Sequence, residues 1–258
     1  MTTFAPQSPV ALKNVASFMT MTMRLIERAP HLPGFGVCHG PSGFGKSCCA
    51  QFAQMKVRAR MIEAGETWNR QTLLREILRE CGETFRKSWS TSDLAEKAKA
   101  ALGADPSRPL IVDEADKLVD KNMIDILREL QKRAGMAVIL VGEEQLPNKL
   151  LQVERMHNNV LHWFPAQPCD LDDTRVLAKA FVPKVDIRDD LLDVIRQRSG
   201  GRARRIVINL DAAAEFARNH GHKTLDLRLW GGEAFYTGKP PAHRNIQQFP
   251  TQQPLKVV

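Results

Sequence analysis

The sequence predicts an α/β protein, a parallel sheet flanked by helices, followed by a small all-helical subdomain. Three observations predict it. Short continuous apolar runs at Phe35–His39, Pro109–Val112 and Met136–Val141 alternate with segments of helical periodicity, the pattern of strands buried on both faces of a parallel sheet. A glycine-rich run, Gly40-Pro41-Ser42-Gly43-Phe44-Gly45-Lys46-Ser47, lies between the first of these strands and a helix. After Phe164-Pro165 the pattern changes, and only helix-like segments follow.

Residues 1–10 contain proline and read as a flexible lead-in. From Ala11 to Arg28, Leu12, Val15, Ala16, Met19, Met23 and Ile26 recur at helical spacing, and Pro30 and Pro33-Gly34 end that helix. Phe35–His39 is a short buried strand leading into the glycine turn. A helix over Lys46–Gln54 and a strand over Val57–Ile62 come next. Thr67–Cys81 is helical through Leu73, Leu74, Ile77 and Leu78. Ser92–Leu102 is helical, with Ser92 as its N-cap. Asn122–Arg133 is a helix between the strands Pro109–Val112 and Met136–Val141.

Asp172–Phe181, Asp189–Arg198 and Arg202–Asn219 are three helices without a strand between them. The expected boundaries are an α/β domain over 11–165, a helical lid over 166–224 and an extended Pro/Gln-rich tail over 225–258. In that tail Trp230, Phe235 and Tyr236 either anchor a partner or fold back on the chain's own helices.

The 258 residues carry 37 Lys and Arg against 29 Asp and Glu, a net charge of +8. Such a surplus favours polyanionic partners, nucleic acid first, against the simpler reading of a solvated basic surface. No apolar run reaches the ~18 residues needed to cross a bilayer. The first residues lack the basic-then-apolar order of a signal peptide, so a cytoplasmic protein without membrane contact is expected. Five cysteines without CxxC or Cys/His spacing argue against a structural metal or disulfides. Cys48 and Cys49 read as packing residues of the helix after the glycine turn.

Gly40–Ser47 matches G-x-x-x-x-G-K-[ST] in full. Its glycines let backbone N–H groups turn inward to cradle phosphates, and the next helix adds its positive end. This points to ATP with Mg²⁺. Gly40, Pro41, Ser42, Gly43, Phe44, Gly45, Lys46, Ser47 and Cys48 would line the nucleotide. Lys46 would reach the β- and γ-phosphates, and Ser47 would ligate the metal. Leu110-Ile111-Val112-Asp113-Glu114 is an apolar strand ending in two acids. There Asp113 can hold Mg²⁺ and Glu114 can polarise the attacking water. The reaction expected is hydrolysis of ATP to ADP and phosphate.

Other positions are open to more than one reading. Glu143, after the third strand, is placed to touch the γ-phosphate, yet an anion there repels phosphate unless it binds water or a cation. Arg196, Arg198, Arg202, Arg204 and Arg205 crowd the start of the last helix, where one could swing toward the phosphates. Arg155 could act in trans as an arginine finger. Lys97, Lys99, Lys117 and Lys121 are candidates for a DNA backbone, against the simpler reading of solvated lysines.

With these residues placed, the sequence resembles the AAA+ ATPases of DNA transposition, the group of the phage Mu transposition protein B and the target-selection ATPases of Tn7-like elements. The likeness covers roughly residues 10–220. It rests on Gly40–Ser47, Ile111-Val112-Asp113-Glu114-Ala115-Asp116-Lys117-Leu118, Val138–Gly142 and Ser199-Gly200-Gly201-Arg202-Ala203-Arg204. The resemblance implies a P-loop AAA+ domain with a small helical lid subdomain. It also implies ATP-dependent assembly of a helical homo-oligomer on double-stranded DNA, recruitment of a transposase, slow hydrolysis that disassembles the filament, and a phage or mobile element in a bacterial host. By position Arg204 resembles the second sensor, with Arg205 the fallback, and Lys121 and Asn122 lie where family members touch the DNA backbone.

Two departures stand out. Glu143 replaces the family's neutral polar residue, and only 39 residues precede Gly40, too few for the Mu protein's extra DNA-binding domain. The alternative is an ATPase of the helicase-loader or replication-initiation type, with the same nucleotide site. Aromatic residues make up only 6% of the chain, which argues mildly against the single-strand stacking platforms such proteins use. A secretion-associated ATPase would bring a membrane segment or peptidoglycan-binding module, and neither is evident. A small-molecule kinase fits poorly with the acidic pair and the helical C-terminal region.

Overall fold

The computed structural model describes residues 12–238. The lead-in expected over residues 1–10 and the tail beyond residue 238 lie outside the described residues. The chain opens with α1 (Lys13–Ile26), whose buried Val15, Phe18, Met21 and Leu25 form one apolar stripe at i, i+3/i+4 spacing. The stripe lies on β1 (Phe35–His39). The approach is so close that a Cβ at Gly36 would collide with Leu25.

The glycine turn then leads into α2 (Lys46–Val57) and β2 (Arg60–Glu63). The helix runs three residues beyond the expected Gln54, and the strand starts three later than Val57. Arg58, in the left-handed region at φ 54°, makes the break between them. Next come α3 (Arg70–Glu80), capped by the Asn69 side chain, and α4 (Thr91–Gly103). The cap of α4 is Ser90 rather than Ser92: Ser90 and Asp93 exchange side-chain and backbone bonds in a full capping box.

β3 (Leu110–Asp113) is followed by the short α5 (Asp116–Asp120), α6 (Ile124–Ala134) and β4 (Val138–Gly142). Asn122 does not open α6 as expected. It sits at φ 53° in the turn before it. Two short helices, α7 (Leu146–Leu151) and α8 (Glu154–His157), lead into β5 (Val160–Pro165). The lid follows as α9 (Leu171–Phe181), β6 (Asp186–Ile187), α10 (Asp189–Arg198), α11 (Ala203–Asn219), β7 (Thr224–Leu225) and α12 (Leu227–Trp230).

The main sheet is wholly parallel, in the order β2-β3-β4-β1-β5. β5 is an edge strand that the sequence did not announce. Val160–Trp163 are only half-buried, and its pairing with β1 is irregular at Phe35/Gly36, so it lacks the continuous apolar run of a central strand.

One apolar core lies under α3, α4 and α6. The other joins α1 and α2 to the lid helices. The lid therefore shares a core with one face of the sheet. Segment 225–238 is not extended: Trp230 is buried, 5.3 Å from Phe216 and 5.5 Å from Phe235 between ring centroids. These aromatics fold back on the lid. In contrast to the expected absence of strands, β6 and β7 pair over two residues beside them.

Candidate nucleotide site

A parallel sheet presents the C-terminal ends of its strands together, and there the chain places its polar loops. Gly40 leaves β1 at φ 150°, and Gly43 and Gly45 take φ 88° and 81°, a left-handed geometry that a side chain resists. Gly45 is also the N-cap of α2. Lys46 Nζ donates to the carbonyls of Gly40 at 2.6 Å and Pro41 at 3.0 Å, which draws its ammonium over the loop. Ser47 and Cys48 are exposed in the first turn of α2.

Asp113 ends β3, buried, with Oδ1 accepting the Glu114 N–H at 2.9 Å. Its other oxygen has no protein partner among the described residues. Glu114 is half-exposed, with left-handed φ 55°. A non-glycine residue in that region is strained, and such strain concentrates at functional sites.

β4 separates β3 from β1, and Glu143 follows its end, exposed. The backbone N–H of Glu143 is held by the buried Asp116 carboxylate at 2.7 Å. His39 closes β1. Burial, with the Lys46 ammonium second, pushes its pKa below the ordinary value. Burial likewise pushes the Cys38 thiol up to about 12 and raises Cys49 and Cys169, so these three are packing thiols. Among the described residues no group of three His, Cys, Asp or Glu forms a metal cage. A magnesium ion that keeps most of its ligands from water and phosphate needs only one or two protein groups, and the exposed Ser47 with the unpartnered Asp113 oxygen are the groups that could supply them.

The arginine cluster is sorted by the structure. Arg202, the N-cap residue of α11, donates from Nη1 to the Ser42 carbonyl, and its guanidinium lies 5.6 Å from the Phe44 ring centre. Arg204 is exposed, and its charge lowers the Cys48 thiol pKa against the burial that raises it. The Arg205 guanidinium packs against Gly238. Arg155 is exposed on α8, and its side chain bonds to no other described residue.

The lysines divide in the same way. Lys97 is paired with Glu83 at 2.7 Å, and Lys99 with Glu96 at 2.8 Å and Glu129 at 2.7 Å. Lys117 lies 3.7 Å from Glu114 and 3.8 Å from Glu66. Lys121 and Asn122 are exposed. Asn122 lines a concavity with Arg70, Arg128, Lys132 and Arg133. Of these cations Arg70, Lys132 and Arg133 have no ion pair among the described residues, whereas Arg128 is paired with Asp125 at 3.0 Å.

Three roles at the site had no sequence signal of their own: Arg202, one of the clustered arginines, as the lid's contact with the loop, Asp116, within the run Ile111–Leu118, as the anchor of Glu143, and Asn14. Asn14 lies in the first turn of α1 and bonds to the Phe44 carbonyl at 3.0 Å. The only sequence trace of Asn14 is a polar residue placed among the apolar positions of an amphipathic helix.

Residues 29–150 match the family model described as "AAA domain". ORC1-type DNA replication protein 1 of Halobacterium salinarum is 28% identical over 211 residues, covering 74% of this chain and 66% of the relative. The chain thus spans just under two thirds of that protein's length. The Aeropyrum pernix ORC2 protein, solved in ADPNP–ADP complexes, superposes with a TM-score of 0.65 at 15% identity, over 88% of this chain and 68% of that one. The Aeropyrum pernix ORC1 protein, solved in complex with DNA, gives 0.59 at 17% identity, over 84% and 63%. The Halobacterium salinarum relative is thus named as a DNA replication protein rather than a transposition protein. Sheet order and loop geometry agree with the match over residues 29–150: the chain has the α/β fold of an AAA domain built around a P-loop, with a helical region behind it.

Proposed function

We propose that the chain is a DNA-binding regulatory ATPase of the replication-initiator type, which binds ATP at Gly40–Ser47 and duplex DNA through a basic face. The observation that carries the reading is the convergence of the positive-φ loop, Asp113 and Glu114 at one sheet edge, on a chain whose curated relative is an ORC1-type replication protein. Inward N–H groups of the loop and the start of α2 hold the phosphates. Magnesium, held by Ser47 and Asp113, would supply charge neutralisation on the phosphate oxygens. Glu114 orients and polarises the attacking water, Lys46 neutralises charge, and Arg204 approaches from the lid. Arg155, free on the surface, is available to a neighbouring subunit's site.

The DNA contact is placed on Arg70, Lys132 and Arg133 with Lys121 and Asn122, because these carry no internal ion pair. Lys97 and Lys99 are already neutralised by carboxylates, and Lys117 faces two. Phosphate contacts give affinity without reading sequence.

A second reading, a filament-forming regulator that recruits a transposase, uses the same site and rests on the run Ile111–Leu118. Binding of labelled random duplex, with ATP, ADP or no nucleotide, for the natural chain and Lys46→Ala, tests the shared core. ATP-dependent, salt-sensitive binding lost in Lys46→Ala supports it, and no duplex binding under any nucleotide condition overturns it. Electron microscopy of the complexes then separates the two readings. Continuous coating of long duplex favours the transposition regulator, and discrete particles favour the initiator.

A further inference from the structure

The peptide planes of the phosphate loop are held from outside by two residues that belong to neither the loop nor its motif. Asn14 is buried at 6% exposure in the first turn of α1. Its Nδ2 donates to the Phe44 carbonyl at 3.0 Å and to the Gln167 carbonyl at 2.7 Å, and its Oδ1 accepts the Gln167 N–H at 3.0 Å. All its partners are backbone groups, one in the loop and two in the connector between β5 and α9. On the lid side Arg202 donates to the Ser42 carbonyl, stacks over Phe44, and lays its stem beside Gly43.

A peptide unit is planar and, throughout the described chain, trans. Its C=O and N–H therefore point in opposite directions. Holding the Phe44 carbonyl toward α1 turns the Gly45 N–H the other way. Holding the Ser42 carbonyl toward the lid does the same for the Gly43 N–H. Gly43 and Gly45 can rotate more freely than any other residue type, so these two planes are the ones that would otherwise flip. The geometry points to Asn14 and Arg202 as positioning residues that fix the Phe44–Gly45 and Ser42–Gly43 peptides with their N–H groups set for phosphate.

The simpler account is that Asn14 is a satisfied buried amide that merely holds α1 in place. Yet the first turn of α1 already has other attachments to the lid. The Lys13 N–H donates to Asp173 Oδ1 at 2.9 Å, and the Lys13 ammonium pairs with Asp170. The bond to Phe44 adds nothing to that attachment and acts on the loop alone. It also links loop to hinge, because the same amide grips Gln167 where the chain leaves the sheet for the lid. Cys169 N–H, two residues on, donates to Gly201 O at 2.9 Å, next to Arg202. Loop and hinge thus meet at the Asn14 amide, and the lid joins the hinge through the Cys169–Gly201 bond.

The inference rests on ATP binding at this loop, and its test separates the two. Affinity for ATP and ADP is measured by titration for the natural chain, Asn14→Leu, Arg202→Met and Arg202→Lys, each with its nucleotide-free melting temperature. Both Asn14→Leu and Arg202→Met should weaken ATP and ADP by about tenfold, the worth of losing an oriented hydrogen bond to phosphate. Arg202→Lys, which can still donate to Ser42, should recover most of the loss. Unchanged affinities in folded Asn14→Leu and Arg202→Met overturn the inference, even if their melting temperatures fall. Should Asn14→Leu fail to fold, Arg202→Met on the half-exposed lid side decides alone. A natural chain that binds no ATP sinks the underlying reading instead.

Discussion

The carboxylate of Asp116 accepts the backbone N–H of Glu143 at 2.7 Å, tying the helix after the acidic pair to the turn after β4. Gly142 makes the approach possible, since a Cβ there would collide with Asp116 Oδ2. The remaining oxygen, Oδ1, is buried without a hydrogen bond and lies 3.7 Å from Lys149 Nζ. The position of Glu143 is therefore set by Asp116, whatever its side chain does. Asp116→Ala should destabilise the chain by about 1–3 kcal/mol, the cost of an unpaired buried group. It should lower ATP turnover more than ATP affinity. Thermal melting and steady-state kinetics check both, and a pure affinity loss would contradict this assignment.

Glu114, proposed above to orient the attacking water, has a strained left-handed backbone. Glu114→Gln keeps the shape and the Asp113 contact, which uses the Glu114 backbone N–H. ATP binding should survive while hydrolysis falls about 10²–10⁴-fold, the usual contribution of a general base. Lys46→Ala should instead lose binding itself. Titration and phosphate release distinguish the two variants.

The basic concavity gives a prediction in salt. If Arg70, Lys132 and Arg133 each contact a duplex phosphate, replacing all three with Ala should lower the slope of log affinity against log salt by about 2.7, at ~0.9 per contact. The double variant Lys97→Ala/Lys99→Ala should leave the slope almost unchanged, because those ammonium groups already bond to Glu83, Glu96 and Glu129. Equal effects from both sets would remove the concavity as the binding face.

The sheet's central strands, the loop and the acidic pair were legible because each carries a local signature: a continuous apolar run, or residues at fixed spacing. β5 was not, since an edge strand half-covered by side chains has neither alternation nor a run. Ser92 reads as a cap from its residue type and place alone, whereas the Asp93 side chain selects Ser90. The partners of Arg202 and Asn14 are read only in three dimensions. Arg202 lies 160 residues from its partner Ser42, and Asn14 lies 30 from Phe44. The neighbours of Arg205 and of the lysines on α4 are hidden for the same reason, because a charge in sequence does not announce the partner that the fold supplies.

Arg60 is a charged residue at the start of a buried strand, only 3% exposed. Its Nη1 donates to the carbonyls of Arg108 at 2.9 Å and Asp105 at 3.2 Å, beyond the end of α4. Removing it would leave the Arg108 carbonyl without a donor and the Asp105 carbonyl with only the Arg108 N–H, and would take a cation from the helix end. Arg60→Met fills much of the volume but should still cost about 2–3 kcal/mol, measured as a shifted denaturant midpoint with nucleotide affinity unchanged. A neutral result would mean that water satisfies those carbonyls.

His39 links stability at the site to pH. Its folded-state pKa is lowered, first by burial and then by the Lys46 ammonium. In the unfolded chain it takes up a proton near its ordinary value of 6.5, while the folded chain resists until lower pH. The unfolded state therefore binds more protons in that window, and stability must fall as pH drops from about 6.5 toward the folded pKa. Above 6.5 the contribution is fully present. His39→Asn removes the titration, so its denaturation midpoint should lose less than that of the natural chain between pH 7 and 5.5. Lys46→Ala removes the second cause and should reduce the slope without abolishing it, because burial remains. Equal slopes in all three proteins would show that His39 is as free to protonate in the folded chain as in the unfolded one.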